Sequence, residues 1–215
     1  MRREIKEEYL QNLYTKDDMV RCGTSDCMGC SHCCEEMGET IVLDPYDVWQ
    51  FEIGLARNFG GLLQDTLELS VYEGIIMPHI KTKEGTNRCV YLREDGKCSV
   101  HGMRTGLCRL FPLARIYDED GMHYILQKED CPREPKVKMK IEKWLGLPEL
   151  SKYEAYIQEW HTITVNLREA LAECDDATAR AVNTKFLEIF YLEQYEDSDF
   201  YEQFYKRLHR WQSLS

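Results

Sequence analysis

Cys27-Met28-Gly29-Cys30-Ser31-His32-Cys33-Cys34 sets three cysteines at three-residue steps and ends in a doublet. A C-x2-C step folds the chain back over one ion, with two thiolates about a tetrahedral edge apart and the intervening amides free to point at sulfur. From Cys22 to Gly38 the chain is small, polar and cysteine-rich, so something other than apolar packing must hold it. Three such thiolates in succession suit three corners of a cubane cluster, as in the C-x2-C-x2-C portion of bacterial ferredoxins, where a distant Cys-Pro supplies another ligand. Cys131-Pro132 is a pair of that kind. The doublet is harder: adjacent side chains are expected to diverge, so Cys33-Cys34 argues for two metals, or for one ligand and one spare thiol.

Four further cysteines, Cys89, Cys98, Cys108 and Cys131, follow within about a hundred residues. Glu94-Asp95-Gly96-Lys97 reads as a turn joining Cys89-Val90-Tyr91-Leu92 to Cys98-Ser99-Val100, which would let Cys89 and Cys98 face each other across a ladder. The expected metal ligands are therefore Cys27, Cys30, Cys33, Cys34, Cys89, Cys98, Cys108 and Cys131, as two four-thiolate sites or one polynuclear site. Cys22 and Cys174 stand outside the set and read as ordinary thiols.

The chain has 215 residues, enough to bury a proper core, with 27 basic and 38 acidic side chains and a net charge of −11. That balance disfavours phosphate backbones and anionic lipid, so neither nucleic acid nor membrane is an expected partner. Met1 to Leu10 lacks an apolar signal-peptide core, and no stretch approaches the roughly 18 apolar residues of a membrane span, so a cytoplasmic protein is expected. In a reducing compartment thiols serve as metal ligands or catalytic groups rather than disulfides.

The remaining pattern predicts an α+β fold: short strands and cysteine loops in a metal-held region, residues 1–135, followed by packed helices, residues 136–215. Ile5, Tyr9, Leu10 and Leu13 mark a short amphipathic helix within residues 3–14. Thr40 to Leu43 reads as a strand, and Asp44-Pro45 opens a helix expected to reach Asn58 and stop at Gly60-Gly61. Leu67 to Val71 and Gly74 to Ile80 look extended, with Pro78 demoting the second to an edge strand or loop. Asp118 to Gly121 joins Arg115-Ile116-Tyr117 to Met122–Leu126 as a hairpin. Beyond Cys131-Pro132, Val137 to Leu145 reads as a short helix ended by Gly146, and Ser151-Lys152-Tyr153-Glu154 as a capping box. The helix it opens carries an inward stripe of Tyr153, Tyr156, Ile157, Trp160, Thr164, Leu167 and Leu171. Two more helices carry Val182, Phe186, Ile189 and Phe190, then Phe200, Phe204, Leu208 and Trp211. Aromatics at helical spacing read as core rather than as a cofactor-stacking box.

The order Cys27-x2-Cys30-x2-Cys33-Cys34, Cys89-Val90-Tyr91-Leu92, Cys98-Ser99-Val100-His101 and Arg104-x3-Cys108-Arg109-Leu110-Phe111-Pro112 resembles the YkgJ-type cysteine-cluster family, the CxxCxxCC proteins. The match covers roughly residues 27–131, eight cysteines for eight. It implies chelation of zinc or iron and brings no settled activity. The same pattern occurs in flagellin lysine N-methylase, so a protein-modifying role is a family-level analogy. Thr105 stands where that family usually has Pro, which puts a local turn in doubt, and His101 stands where Tyr is frequent, which adds a nitrogen donor.

His32 lies inside the tightest loop as a second-shell candidate, and Arg104 and Arg109 flank Cys108, where they can offset thiolate charge. Nucleotide-binding, P-loop and hydrolase motifs are absent from the sequence. Soft thiolates suit zinc and iron alike; the three-in-a-row spacing and the Cys-Pro favour an iron–sulfur cluster. Two functions fit. One is a metal-binding module for electron transfer or scaffolding, its helical region a docking surface for a protein partner. The other is a metal-dependent enzyme, a redox catalyst or lysine methylase-like modifier, with a pocket beside the metal holding His101, Arg104 or Arg109.

Overall fold

The computed structural model describes residues 5–24, 30–36, 39–134 and 136–214. In chain order these form a 3-10 turn Glu7–Gln11, strand β1 (Met19–Thr24), helices α1 (His32–Glu35), α2 (Pro45–Leu55) and α3 (Phe59–Asp65), and strands β2 (Leu67–Tyr72) and β3 (Ile75–Ile80). A 3-10 turn His101–Met103 leads into α4 (Gly106–Leu110), β4 (Leu113–Asp118), β5 (Gly121–Leu126), β6 (Lys136–Lys140) and α5 (Ile141–Leu145). Helices α6 (Leu150–Ala172), α7 (Asp176–Leu187), a π-helical turn Glu188–Leu192 and α8 (Phe200–Gln212) complete the chain. The class is α+β, with the strands in antiparallel pairs β1–β6, β2–β3 and β4–β5. By internal contacts the chain divides into two compact units, Met1–Ile41 with Thr82–Tyr153, and Val42–Lys81 with Glu154–Ser215.

The first unit holds every described cysteine except Cys174. Its β4–β5 hairpin forms as expected, pairing Asp118 with Gly121 across a two-residue turn, with Gly121 at φ 116°. The expected helix from Val137 is instead β6 followed by α5. Val137 and Met139 pair with Gly23 and Val20 of β1, so residues 136–140 are claimed by a strand more than a hundred residues upstream. Gly23 is needed there, because a Cβ would stand 2.8 Å from the Val137 side chain. Gly146, left-handed at φ 59°, ends α5 as expected. The N-terminal amphipathic helix is not formed: Tyr9 alone of its expected face is buried, in a 3-10 turn, while Ile5, Leu10 and Leu13 are exposed. Ser151 lies within α6 and receives a hydrogen bond from Lys16 Nζ at 2.8 Å, so it does not act as the expected cap.

In the second unit Asp44 caps α2 through the Asp47 N–H at 3.0 Å, with Pro45 at the first helical position. That helix stops at Leu55, earlier than expected, because Ala56 turns left-handed at φ 51°. Gly60-Gly61, expected to end it, lie inside α3, whose cap Asn58 accepts from the Gly61 N–H at 2.8 Å. Val42 contributes one bridge, to His79, where a strand was expected from Thr40. Pro78 pairs with Leu69 in the β2–β3 ladder and accepts the Leu43 N–H at 2.9 Å. A two-stranded sheet consists of edges, which is why it tolerates a residue without an N–H. The aromatic stripes form a core: Tyr156 meets Phe204 edge-on at 4.6 Å, and Trp160 lies 5.4 Å from Phe186. Arg207, buried, sits 3.4 Å from the Tyr195 ring centroid and donates to the carbonyls of Ile189, Glu193 and Gln194, satisfying the end of the π-helical turn.

Candidate metal centre

Helix α1 brings the doublet to the site. Its single turn starts after Ser31, whose carbonyl accepts the Cys34 N–H at 2.7 Å. The helical backbone turns consecutive residues so that the Cys33 and Cys34 sulfurs lie 3.9 Å apart. A tetrahedral ion with metal–sulfur bonds of about 2.3 Å has a sulfur–sulfur edge of about 3.8 Å. The expected divergence of the doublet is therefore corrected: these two sulfurs are spaced as one ion would need them.

The Cys89 N–H donates to the Cys34 carbonyl at 2.8 Å, tying the doublet to the second group. Cys89 and Cys98 then repeat one local design. Cys89 bridges to Thr82, turns through Val90 and Tyr91, and closes with the Leu92 N–H on its carbonyl at 3.0 Å. The Tyr91 and Leu92 amides act to favour the Cys89 thiolate. Cys98 bridges to Leu92 and turns through Ser99 and Val100, and the Val100 amide acts to favour its thiolate. Amides aimed at sulfur stabilise a thiolate, and a metal-bound sulfur uses them in the same way. The expected hairpin shrinks to this single bridge, with Leu92 rather than Cys89 opposite Cys98; the turn closes through Arg93 N–H to Lys97 carbonyl at 2.9 Å.

Cys108 is placed by α4. Thr105, fully buried, caps that helix by accepting the Cys108 N–H on Oγ1 at 3.3 Å. The Thr in place of the family's Pro thus opens the helix and holds the cysteine's own backbone. A Thr three residues ahead of Cys108 is a capping signal the sequence carried, though the expectation went no further than a turn.

The charges of these thiols reach one another. The Cys34 thiol is pushed up by its hydrogen bond with Cys33, by burial, and by Cys33, Cys108 and Cys89. Burial first, and Cys98 and Cys33 next, push the Cys89 thiol up to about 11, against the pull of the two amides. Cys98 is raised by burial and by Cys33, and lowered by the Val100 amide and the Arg104 guanidinium. Five expected ligands, Cys33, Cys34, Cys89, Cys98 and Cys108, thus share one neighbourhood, drawn from three separated segments. Among the described residues no three cysteine sulfurs lie within 4.8 Å of one another. Cys30 and Cys131 are half-buried thiols of the same unit. Cys27 lies outside the described residues. None of the nine described cysteines is in a disulfide. Cys22 is fully buried in β1, and the Cys174 thiol donates to the Ala170 carbonyl at 3.2 Å.

The donor set fits a soft metal, since a bound ion stabilises the thiolate forms that burial and neighbouring thiols disfavour at Cys34, Cys89 and Cys98. Of the two flanking arginines, Arg109 is buried and clamps backbone, donating to the carbonyls of Arg104 at 2.9 Å and Gly102 at 2.6 Å. The Arg104 charge acts on the thiol of Cys98. His32 is exposed on α1. Burial, and then the charges of Arg104 and Arg109, lower the pKa of His101. A cavity of about 550 Å³ lies against the Cys89 and Cys98 turns, lined by Lys83, Tyr91, Arg93, Asp95 and neighbours rather than by His101, Arg104 or Arg109.

A protein-family model, CxxCxxCC, described as "Putative zinc- or iron-chelating domain", matches residues 26–136. The match spans more than half of the chain, which belongs to the CxxCxxCC family. No curated protein and no solved structure matches the chain significantly.

Proposed function

We propose that this protein is a thiolate metal-binding module. It carries zinc or an iron–sulfur cluster on Cys27, Cys30, Cys33, Cys34, Cys89, Cys98, Cys108 and Cys131, and serves electron transfer or scaffolding. The observation that carries this reading is the convergence of five thiols from α1, the paired cysteine turns and α4, two of them 3.9 Å apart, close to the edge of a coordination tetrahedron. Zinc on such ligands would be a structural staple, and an iron–sulfur cluster would add one-electron redox. Four thiolates around a divalent ion leave the site at −2 on simple charge counting, and Arg104 stands where it offsets part of that. No helix among the described residues is long and apolar enough to cross a membrane.

Anaerobic purification followed by metal analysis and electron paramagnetic resonance tests the reading. Brown protein that bleaches in air identifies a cluster, and colourless protein with stoichiometric zinc identifies a structural ion. Cys98→Ser should lose the metal in either case. Full metal content in that variant would remove Cys98 from the ligand set.

A further inference from the structure

His101 begins the 3-10 turn His101–Met103 directly after the Cys98-Ser99-Val100 knuckle. Its Nε2 is shielded from solvent and has no hydrogen-bond partner among the described residues. Buried side-chain nitrogens nearly always find a partner, so one without calls for a group that takes its lone pair. The ring shares its surroundings with a ligand thiol: the Arg104 guanidinium acts both on the Cys98 sulfur and on the His101 imidazole. The turn bearing the ring is held by Arg109, which donates to the Gly102 and Arg104 carbonyls. Cations on this side disfavour a second proton on the imidazole, and the neutral ring is the form that binds metals.

On the footing of the thiolate reading above, we propose that His101 supplies a nitrogen ligand, through Nε2, to the metal held by the Cys98 group. The centre is then a mixed sulfur and nitrogen site rather than an all-thiolate one. Zinc and iron both accept imidazole beside thiolate, and replacing one thiolate by a neutral ring lowers the charge the protein must offset by one. The spacing is C-x2-H, the same chain reversal as C-x2-C, with the last donor changed.

X-ray absorption at the edge of the metal carried by the purified protein reads this bond directly. The wild type should show a nitrogen scatterer with the multiple-scattering pattern of imidazole beside its sulfur shell. His32→Gln should keep that nitrogen, and His101→Ala should lose it. Metal affinity in His101→Ala should fall by more than the roughly 10- to 100-fold that loss of an outer-sphere partner costs. A sulfur-only shell in the wild type, or a nitrogen shell that survives His101→Ala, overturns the inference and leaves the thiolate reading standing. Protein without metal, or a shell without sulfur, overturns both. Should His101→Ala fail to fold, ¹⁵N-histidine labelling of the wild type reads the same bond. Zinc added to the metal-free protein should move the His101 nitrogen resonances, and resonances that stay in place would overturn the inference.

Discussion

The two units of this chain are held together by different physics. Residues 154–212 close around interlocked aromatic rings, with Tyr156, Trp160, Phe186, Phe190 and Phe204 buried on facing helices. The cysteine unit between Thr82 and Cys108 has isolated bridges, tight turns and one five-residue helix. Its ordering elements are amides on sulfur, a capping threonine and a clamped arginine. The difference teaches where each unit stores its stability. Area removed from water holds the aromatic unit, whereas on the proposed reading the cysteine unit draws its stability from an ion bound by its thiolates.

Metal removal should therefore separate the two most sharply. Structural zinc contributes on the order of 10 to 16 kcal/mol in small zinc-bound folds, as much as the whole net stability of a domain. Chelator with reductant should abolish hydrogen-exchange protection over residues 89–108 while residues 154–171 keep theirs. Equal loss in both segments would erase the distinction. The reverse experiment is Phe204→Ala, a fully buried ring whose truncation should cost about 3 to 5 kcal/mol by denaturant unfolding and leave metal content unchanged.

Protons sharpen the same contrast. Metal binds thiolate, and burial and neighbouring thiols raise Cys34, Cys89 and Cys98, Cys89 to about 11. These groups are protonated near neutrality in the metal-free fold, so loading must release their protons and apparent affinity must rise with pH. For the metal-free fold the sign is opposite. A raised Cys89 supports folding fully below the ordinary thiol value, and that support is lost as the pH climbs to about 11. Calorimetry in buffers of different ionisation enthalpy measures the proton release, and a release of zero would contradict it. The smallest effect expected is that of Thr105→Ala, which removes the cap on α4 and should cost about 1 kcal/mol of the metal-loaded fold in thermal unfolding.

Much of this was legible in the chain because it is local. The C-x2-C step, the Asp44-Pro45 helix start, the β4–β5 turn and the aromatic periodicity each lie within a few residues. What escaped depends on partners far away in sequence. Residues 136–140 alternate well enough for a strand, but only β1 makes them one. Ser151 had the right spacing for a cap until Lys16 engaged it. The doublet at Cys33-Cys34 was misjudged for a different reason: whether adjacent thiols diverge depends on backbone conformation, and a single helical turn sets them at 3.9 Å. The cysteine pattern pointed to the five thiols that share one neighbourhood, while the backbone amides that act on Cys89 and Cys98 belong to geometry that side-chain identity does not record.

The most direct test of the central claim is the mass of the anaerobically purified protein under non-denaturing conditions, set beside its denatured mass and a count of reactive thiols. The account predicts a native mass higher by the bound zinc or iron–sulfur cluster, with the coordinated cysteines unreactive until a chelator is added. Identical masses, with every cysteine of the 27–131 set reactive in the folded protein, would contradict it.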